Sequence, residues 1–321
     1  MDRTLISIFR WGLFALACIF LYTQVVAKDS RLWSEAFAAS MSWPLLIVLL
    51  LAVVNWGVEA FKWKLLMRPV EVVDYGRAVR ATLAGTSMGL FTPNRTGEFI
   101  GRVWFVREGS RMRAGFATAL GSMAQFTSTM IAGAAAVVVV FFTGAIVPWK
   151  GTSVSYLVLG LALLVTMASL LFYFFPRLLQ AGLGALPVLR RFRGASLVLN
   201  EFSTREQSQV LGLSLVRYAV FALQFVVLLT LCCGPALWRE AALAVPLIYL
   251  VTTLVPTMLL TELGVRGGTA VAILSPWGLH EPGILTACFT LWVINLVLPA
   301  AIGSVLLVAR RATPSAVPTV R

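Results

Sequence analysis

The sequence predicts an all-α polytopic membrane protein, and three observations predict it. Hydrophobic residues make up 59% of the 321 and charged residues only 12%, about half the charged share of a soluble domain. Apolar stretches close to the roughly 20 residues that a bilayer demands recur along the chain. The basic residues gather between alternate stretches rather than spreading evenly.

The apolar stretches place spans at 5–26, 43–66, 114–142, 155–175, 211–233, 241–260 and 284–309. The first carries a cleavage-like Val25-x-Ala27, but its apolar run exceeds the 7–15 residues of a signal peptide, so it reads as a span. From Lys62 to Arg113 there are ten basic residues against four acidic ones. Arg190, Arg191 and Arg193, and then Arg310, Arg311 and Arg321, extend the pattern, whereas the turns near Lys28, Lys150 and Arg239 are sparse. The bias places both termini and the basic stretches on the cytoplasmic side. The net charge of +13 is then positive-inside bias and attraction to anionic lipid. No basic-aromatic module supports a nucleic-acid partner. The 177–209 stretch, with "GALPVLRRFRG", reads as an amphipathic loop on the inner surface or as a plain basic loop. A single transmembrane domain, 1–311, followed by a short tail, 312–321, is expected.

Catalytic machinery is absent from the pattern. Cys18 and Cys288 lie in spans, and Cys232 and Cys233 are adjacent, so neither a disulfide framework nor a zinc spacing emerges. His280 is the single histidine and falls in a polar turn. No metal, cofactor, nucleophile or nucleotide loop is expected.

Two regions resist simple spans. Residues 77–109 begin and end on the cytoplasmic side, and their apolar arms are too short to cross singly. A re-entrant hairpin satisfies both constraints, with Thr92 capping a half-helix that starts at Pro93. Residues 255–276 must likewise fold back, after Pro256. Pro93 precedes Glu98 and Arg102, and Pro256 precedes Glu262 and Arg266. Each Glu-x-x-x-Arg puts an acid and a guanidinium on one helical face, with Gly97 and Gly264 nearby to shape the bend. Opposed hairpins of this kind are the sequence mark of an inverted repeat.

"TPNRTGEFIGR" (92–102) and "TELGVRGG" (261–268) resemble the two signature stretches of the lysylphosphatidylglycerol synthetase transmembrane, flippase-like family. "NWGVEAFKWKLL" (55–66) and "VRYAVFALQF" (216–225) resemble further family stretches, and the resemblance spans residues 40 to 310. It implies a lipid-translocase-like fold with two re-entrant elements. The soluble aminoacyltransferase domain of the full synthetases is not expected, because the chain stops about a dozen residues beyond the last span. The family's Gly-Val-Arg-Glu reads Gly264-Val265-Arg266-Gly267 here, one carboxylate fewer.

The expected function is movement of an anionic phospholipid or lipid-linked headgroup between leaflets, since phosphate in bare hydrocarbon is prohibitively costly. Half-helix N-termini suit a phosphate, and Arg95, Arg102 and Arg266 add charged donors, with Asn94 beside them. Glu98 and Glu262 hold those arginines, bind a headgroup amine or sugar, or carry a coupling proton. Arg217, Tyr218 and Gln224 lie on one otherwise apolar helix, Arg217 positioned to meet Glu98, Glu262 or a phosphate. Asn55, Glu59 and Lys62 share a face of the second span that is expected to line the path from the cytoplasmic side, the alternative being an interfacial end with an ordinary Glu–Lys pair, which reads best for Lys62. A structural ion pair is the competing reading for each Glu-x-x-x-Arg, and Asn295 reads as helix–helix glue. An enzyme acting on lipid, or a partner presenting lipid to a separately encoded enzyme, are the other functions open. Membrane lipids, of anionic or polyprenyl-phosphate type, are the expected partners; homo-oligomerisation stays open.

Overall fold

The computed structural model describes residues 34, 35, 37–39, 41–90, 92, 95–145, 151–185, 192–255 and 259–312. The expected span at 5–26, together with Pro93, Asn94, Pro256 and the end of the tail, lies outside the described residues. Those described are helical, with no strand among them.

The chain runs through α1 (Leu45–Leu66), the short arms α2 (Tyr75–Leu90) and α3 (Gly97–Val103), then α4 (Arg111–Thr143). After α5 (Thr152–Phe174) and the short α6 (Pro176–Ala185) come α7 (Thr204–Cys233) and α8 (Trp238–Leu254). α9 (Leu259–Leu274), α10 (Glu281–Trp292), a π-helical turn at Val293–Val297 and α11 (Leu298–Ala312) complete the order. Among the described residues, five segments are long and apolar enough to cross a membrane: Leu45–Leu66, Glu108–Thr143, Thr152–Phe174, Thr204–Cys233 and Glu281–Val308.

Two expected boundaries move. The span at 241–260 is a helix of only 17 residues ending at Leu254. Val255 is extended, with φ −91° and ψ 119°, because the ring of a following proline crowds the α conformation. The last span is continuous in sequence but interrupted by its π turn, which shifts the face that α10 and α11 present.

Local chemistry explains several ends. Ser203 and Glu206 form a reciprocal capping box at the start of α7, with Glu206 N–H donating to Ser203 Oγ at 3.3 Å and Ser203 N–H to Glu206 Oε2 at 2.9 Å. Gly144 ends α4 with φ 65°, where an L side chain is disfavoured. The exposed His280 caps α10 by accepting from Gly283 N–H at 3.1 Å. Between α1 and α2, Glu71 accepts from Arg107 N–H at 2.9 Å and pairs with Arg77 at 2.6 Å, tying the loop after α3 to the rest.

The apolar interior divides in two. One core gathers Val48 and Ala52 of α1 with the far halves of α4 and α7 and with α8, α9 and α10. The other gathers Trp63 and Leu66 of α1 with the near halves of α4 and α7, and with α2. Polar residues fill the level between them: Asn55, Glu59 and Lys62 on α1, Gln125 on α4, Ser214 and Arg217 on α7. At 1.5 Å per residue, Glu59 lies about 21 Å from one end of α1 and about 10 Å from the other.

Candidate functional site

The first hairpin is built by glycine. Gly85 and Gly89 on α2 face Arg102 and Glu98 on α3: a Cβ at Gly85 would fall 2.7 Å from Arg102 Cγ, and one at Gly89 2.5 Å from Glu98 Cγ. A Cβ at Gly101 would fall 2.6 Å from Gly85 Cα, and Gly97 is buried against the Met88 carbonyl. These pairings run antiparallel, so the two arms are a closely pressed hairpin, as expected for 77–109. The returning helix starts later than the sequence suggests, at Gly97. Thr92 still anchors it, its Oγ1 accepting from Gly97 N–H at 2.6 Å. At only seven residues, with Glu98 in its first turn, α3 carries no useful dipole site. Arg95 stands just before it in the left-handed region at φ 57°, a strained backbone for a residue with a Cβ.

The glycine windows let Arg102 pass α2 and reach Glu59 of α1, while Glu98 packs against Gly89. Arg102 Nη2 meets Glu98 at 3.2 Å and Nη1 meets Glu59 at 2.7 Å. Glu59 is the hub. It also lies 2.7 Å from Lys62 Nζ and 3.2 Å from Arg217. Glu59 is 3% and Lys62 1% exposed, so Lys62 is no interfacial residue: its ammonium donates to Gly121 O and Ser214 Oγ, each at 3.4 Å, beside the carboxylate. Arg217 meets Glu59, not Glu98 or Glu262, and donates to Asn55 Oδ1 at 3.0 Å and to Gln125 Oε1 at 3.2 Å. Asn55 in turn donates to Asn295 Oδ1 at 3.1 Å, joining α1 to the π turn.

The second Glu-x-x-x-Arg is also paired. Arg266 Nη2 is 2.6 Å from Glu262, and the guanidinium lies 5.8 Å from the ring centroids of both Phe221 and Tyr249. Gly264 sits inside α9 on the turn between them, not at a bend.

A cavity of about 630 Å³ opens among these groups. It brings together Arg95, Glu98, Arg102, Arg217, Tyr218, Glu262 and Arg266, along with Asn55, Glu59 and Lys62. Five cations face three carboxylates there, an excess of two positive charges. Gln224 is not among the lining: it is fully buried, its amide donating to Val48 O at 2.8 Å in the α1–α7 contact. The sequence reading missed Gln125 and Tyr249. Gln125 carried a signal, an amide in an apolar helix, whereas Tyr249 in "LIYL" carried none.

Membrane-length helices enclosing a charged cavity between two apolar cores define a multi-pass integral membrane protein with a polar centre. Residues 6–303 match the model of the lysylphosphatidylglycerol synthase TM region, and the chain belongs to that family. The family links it to lipid metabolism, and the match extends N-terminally to residue 6, beyond the signature stretches. No curated protein and no solved structure matches it.

Proposed function

We propose that the chain moves an anionic phospholipid or lipid-linked headgroup between leaflets of the bacterial cytoplasmic membrane, with the cavity as its polar waypoint. The carrying observation is that excess of two positive charges, held by Arg95 and Arg102 of the first hairpin together with Lys62 of α1, Arg217 of α7 and Arg266 of α9. A buried carboxylate or guanidinium is expensive in a bilayer, and ion pairing offsets part of that expense for Glu59, Glu98 and Glu262. The surplus cations are offset by an anion, and a phosphate headgroup supplies one. Guanidiniums suit it because they present forked donors.

The test is lipid movement in proteoliposomes holding fluorescent phosphatidylglycerol, a zwitterionic analogue or a polyprenyl-phosphate analogue. Outer-leaflet signal is followed after adding a quencher, under imposed proton or sodium gradients. Movement by the wild type, lost in Glu98→Gln and Arg266→Ala proteins that still melt cooperatively, supports the proposal. No movement of any lipid overturns it; a change in lipid mass would point to an enzyme instead, and neither to a lipid-presenting partner.

A further inference from the structure

The last membrane span is one segment in sequence and two in its attachments. α10 packs chiefly on α7 and α9, whereas α11 packs chiefly on α2 of the first hairpin. Both contacts are close. A Cβ at Gly283 of α10 would fall 2.6 Å from Cys232 O of α7, and one at Gly267 of α9 would fall 2.9 Å from Leu285 Cδ2 of α10. On the other side, Gly303 of α11 is pressed against the Leu83 carbonyl of α2. Ser87 Oγ of α2 donates to Ala300 O and accepts from Ser304 Oγ at 3.2 Å. α10 is thus fixed to α7 and α9, and α11 to the first hairpin.

The π turn at Val293–Val297 is the joint between them, and Pro299 explains it. In a regular α-helix the Pro299 ring would crowd the Asn295 carbonyl and offer it no N–H. The chain widens instead, and Leu298 N–H reaches back five residues to Val293 O. A single π turn resets the hydrogen-bond ladder, so the helix bends there more easily than on either side.

The joint is also wired to the cavity. Asn295 Nδ2 donates to Leu291 O at 3.3 Å, and its Oδ1 accepts from Asn55 Nδ2 of α1 at 3.1 Å. Asn55 Oδ1 in turn accepts from Arg217 Nε at 3.0 Å. Of the three cations around Glu59, Arg217 is the most accessible: its side chain is 19% exposed, against 6% for Arg102 and 1% for Lys62. An anion in the cavity meets Arg217 first. Drawing that guanidinium off Asn55 loosens the amide pair that holds the π turn to α1.

We propose that the π turn is a hinge about which α11 and the first hairpin move against α7, α9 and α10, and that Asn295 is the positioning residue that ties this hinge to Arg217 until an anion arrives. The inference rests on the reading of the cavity as a polar waypoint, and adds the moving part.

The test is backbone hydrogen exchange of the full chain in phosphatidylcholine nanodiscs, with and without phosphatidylglycerol, beside lipid movement in proteoliposomes. In the wild type, amides of 293–300 should exchange about tenfold faster than those of 284–291, the effect of roughly one missing helical hydrogen bond. Phosphatidylglycerol should raise that exchange several-fold further. Pro299→Ala restores a donor and removes the ring, so the turn should close to α-helix. The excess exchange should then vanish, the protein should melt no lower than the wild type, and lipid movement should fall severalfold. Asn295→Ser, too short to reach Asn55, should exchange fast with or without phosphatidylglycerol, a lost response that destabilisation alone does not produce. Equal protection of 293–300 and 284–291, an intact response in Asn295→Ser, or undiminished movement in Pro299→Ala would each overturn the inference. A wild type that moves no lipid, yet whose π turn answers phosphatidylglycerol through Asn295, refutes transport and leaves the hinge standing. Movement with an unresponsive π turn refutes the hinge alone.

Discussion

Removing the charge of Glu59 should destabilise the fold more than any other single change in the cavity. Glu59→Gln keeps the shape and a carbonyl acceptor but leaves Lys62, Arg102 and Arg217, now 2.7, 2.7 and 3.2 Å from an uncharged group, to face one another. At an effective dielectric near 20, each lost attraction is about 5–6 kcal/mol, set against the recovered desolvation of the carboxylate. Breaking a buried ionic network in this way costs about 3–5 kcal/mol net. For a chain of this size the midpoint of thermal unfolding should fall by at least about 6 °C, measured in detergent with and without phosphatidylglycerol. Lys62→Met in the same chain restores the original charge balance, so the double variant should be more stable than the sum of the two single losses. A Glu59→Gln protein that melts with the wild type, or strict additivity with Lys62→Met, would refute the hub.

Three further outcomes follow from the same geometry. Gly101→Ala should cost about 1–3 kcal/mol in a thermal melt, because its Cβ would sit 2.6 Å from Gly85 Cα and force the hairpin arms apart, whereas Gly115→Ala, with nothing within 4 Å, should be neutral or slightly stabilising. Arg102→Lys should destabilise more than Arg266→Lys in the same melt, since one ammonium cannot span Glu59 and Glu98 as the guanidinium fork does, while the single contact to Glu262 survives the exchange. Finally, the loop clamp should loosen in acid. Partial burial alone would raise the Glu71 carboxyl, but the Arg107 N–H and the Arg77 guanidinium outweigh it and hold Glu71 below its ordinary 4.5. A depressed acid contributes stability above its unfolded value and loses it as pH falls through the folded one. Protease cutting near Arg107 should therefore be flat well above 4.5 and rise as pH falls below it, and Glu71→Gln should abolish that rise.

Much of this arrangement is written in short-range pattern. Hydropathy marks the long helices, and the i,i+4 spacing marks Glu98–Arg102 and Glu262–Arg266, both of which pair. The shared face of Asn55, Glu59 and Lys62 is equally legible. What the face meets is not. Arg102 is 43 residues from Glu59, and Arg217 meets Asn55 across 162. Local spacing says nothing about such partners, so Lys62 reads as interfacial and Arg217 as a partner of the hairpin acids. Gln224 shows the limit from the other side: seven residues past Arg217, it shares a face but lies about 10 Å along the helix, in the apolar core beside Val48.

The two Glu-x-x-x-Arg pairs serve different ends. Arg102 is divided between two carboxylates and ties α3 to α1, whereas Arg266 has one carboxylate and spends its face on Phe221 and Tyr249. Were both pairs purely structural, the most stable arrangement would draw the helices together until each donor met an acceptor and the gap closed, since interiors pack densely and unmet donors are penalised. The bundle instead keeps about 630 Å³ open at the level where its two apolar cores part, and the polar atoms of Tyr218, Tyr249, Trp56 and Trp292 around it have no hydrogen-bond partner among the described residues. Ion pairing accounts for the carboxylates, but not for the space or for the donors that face it.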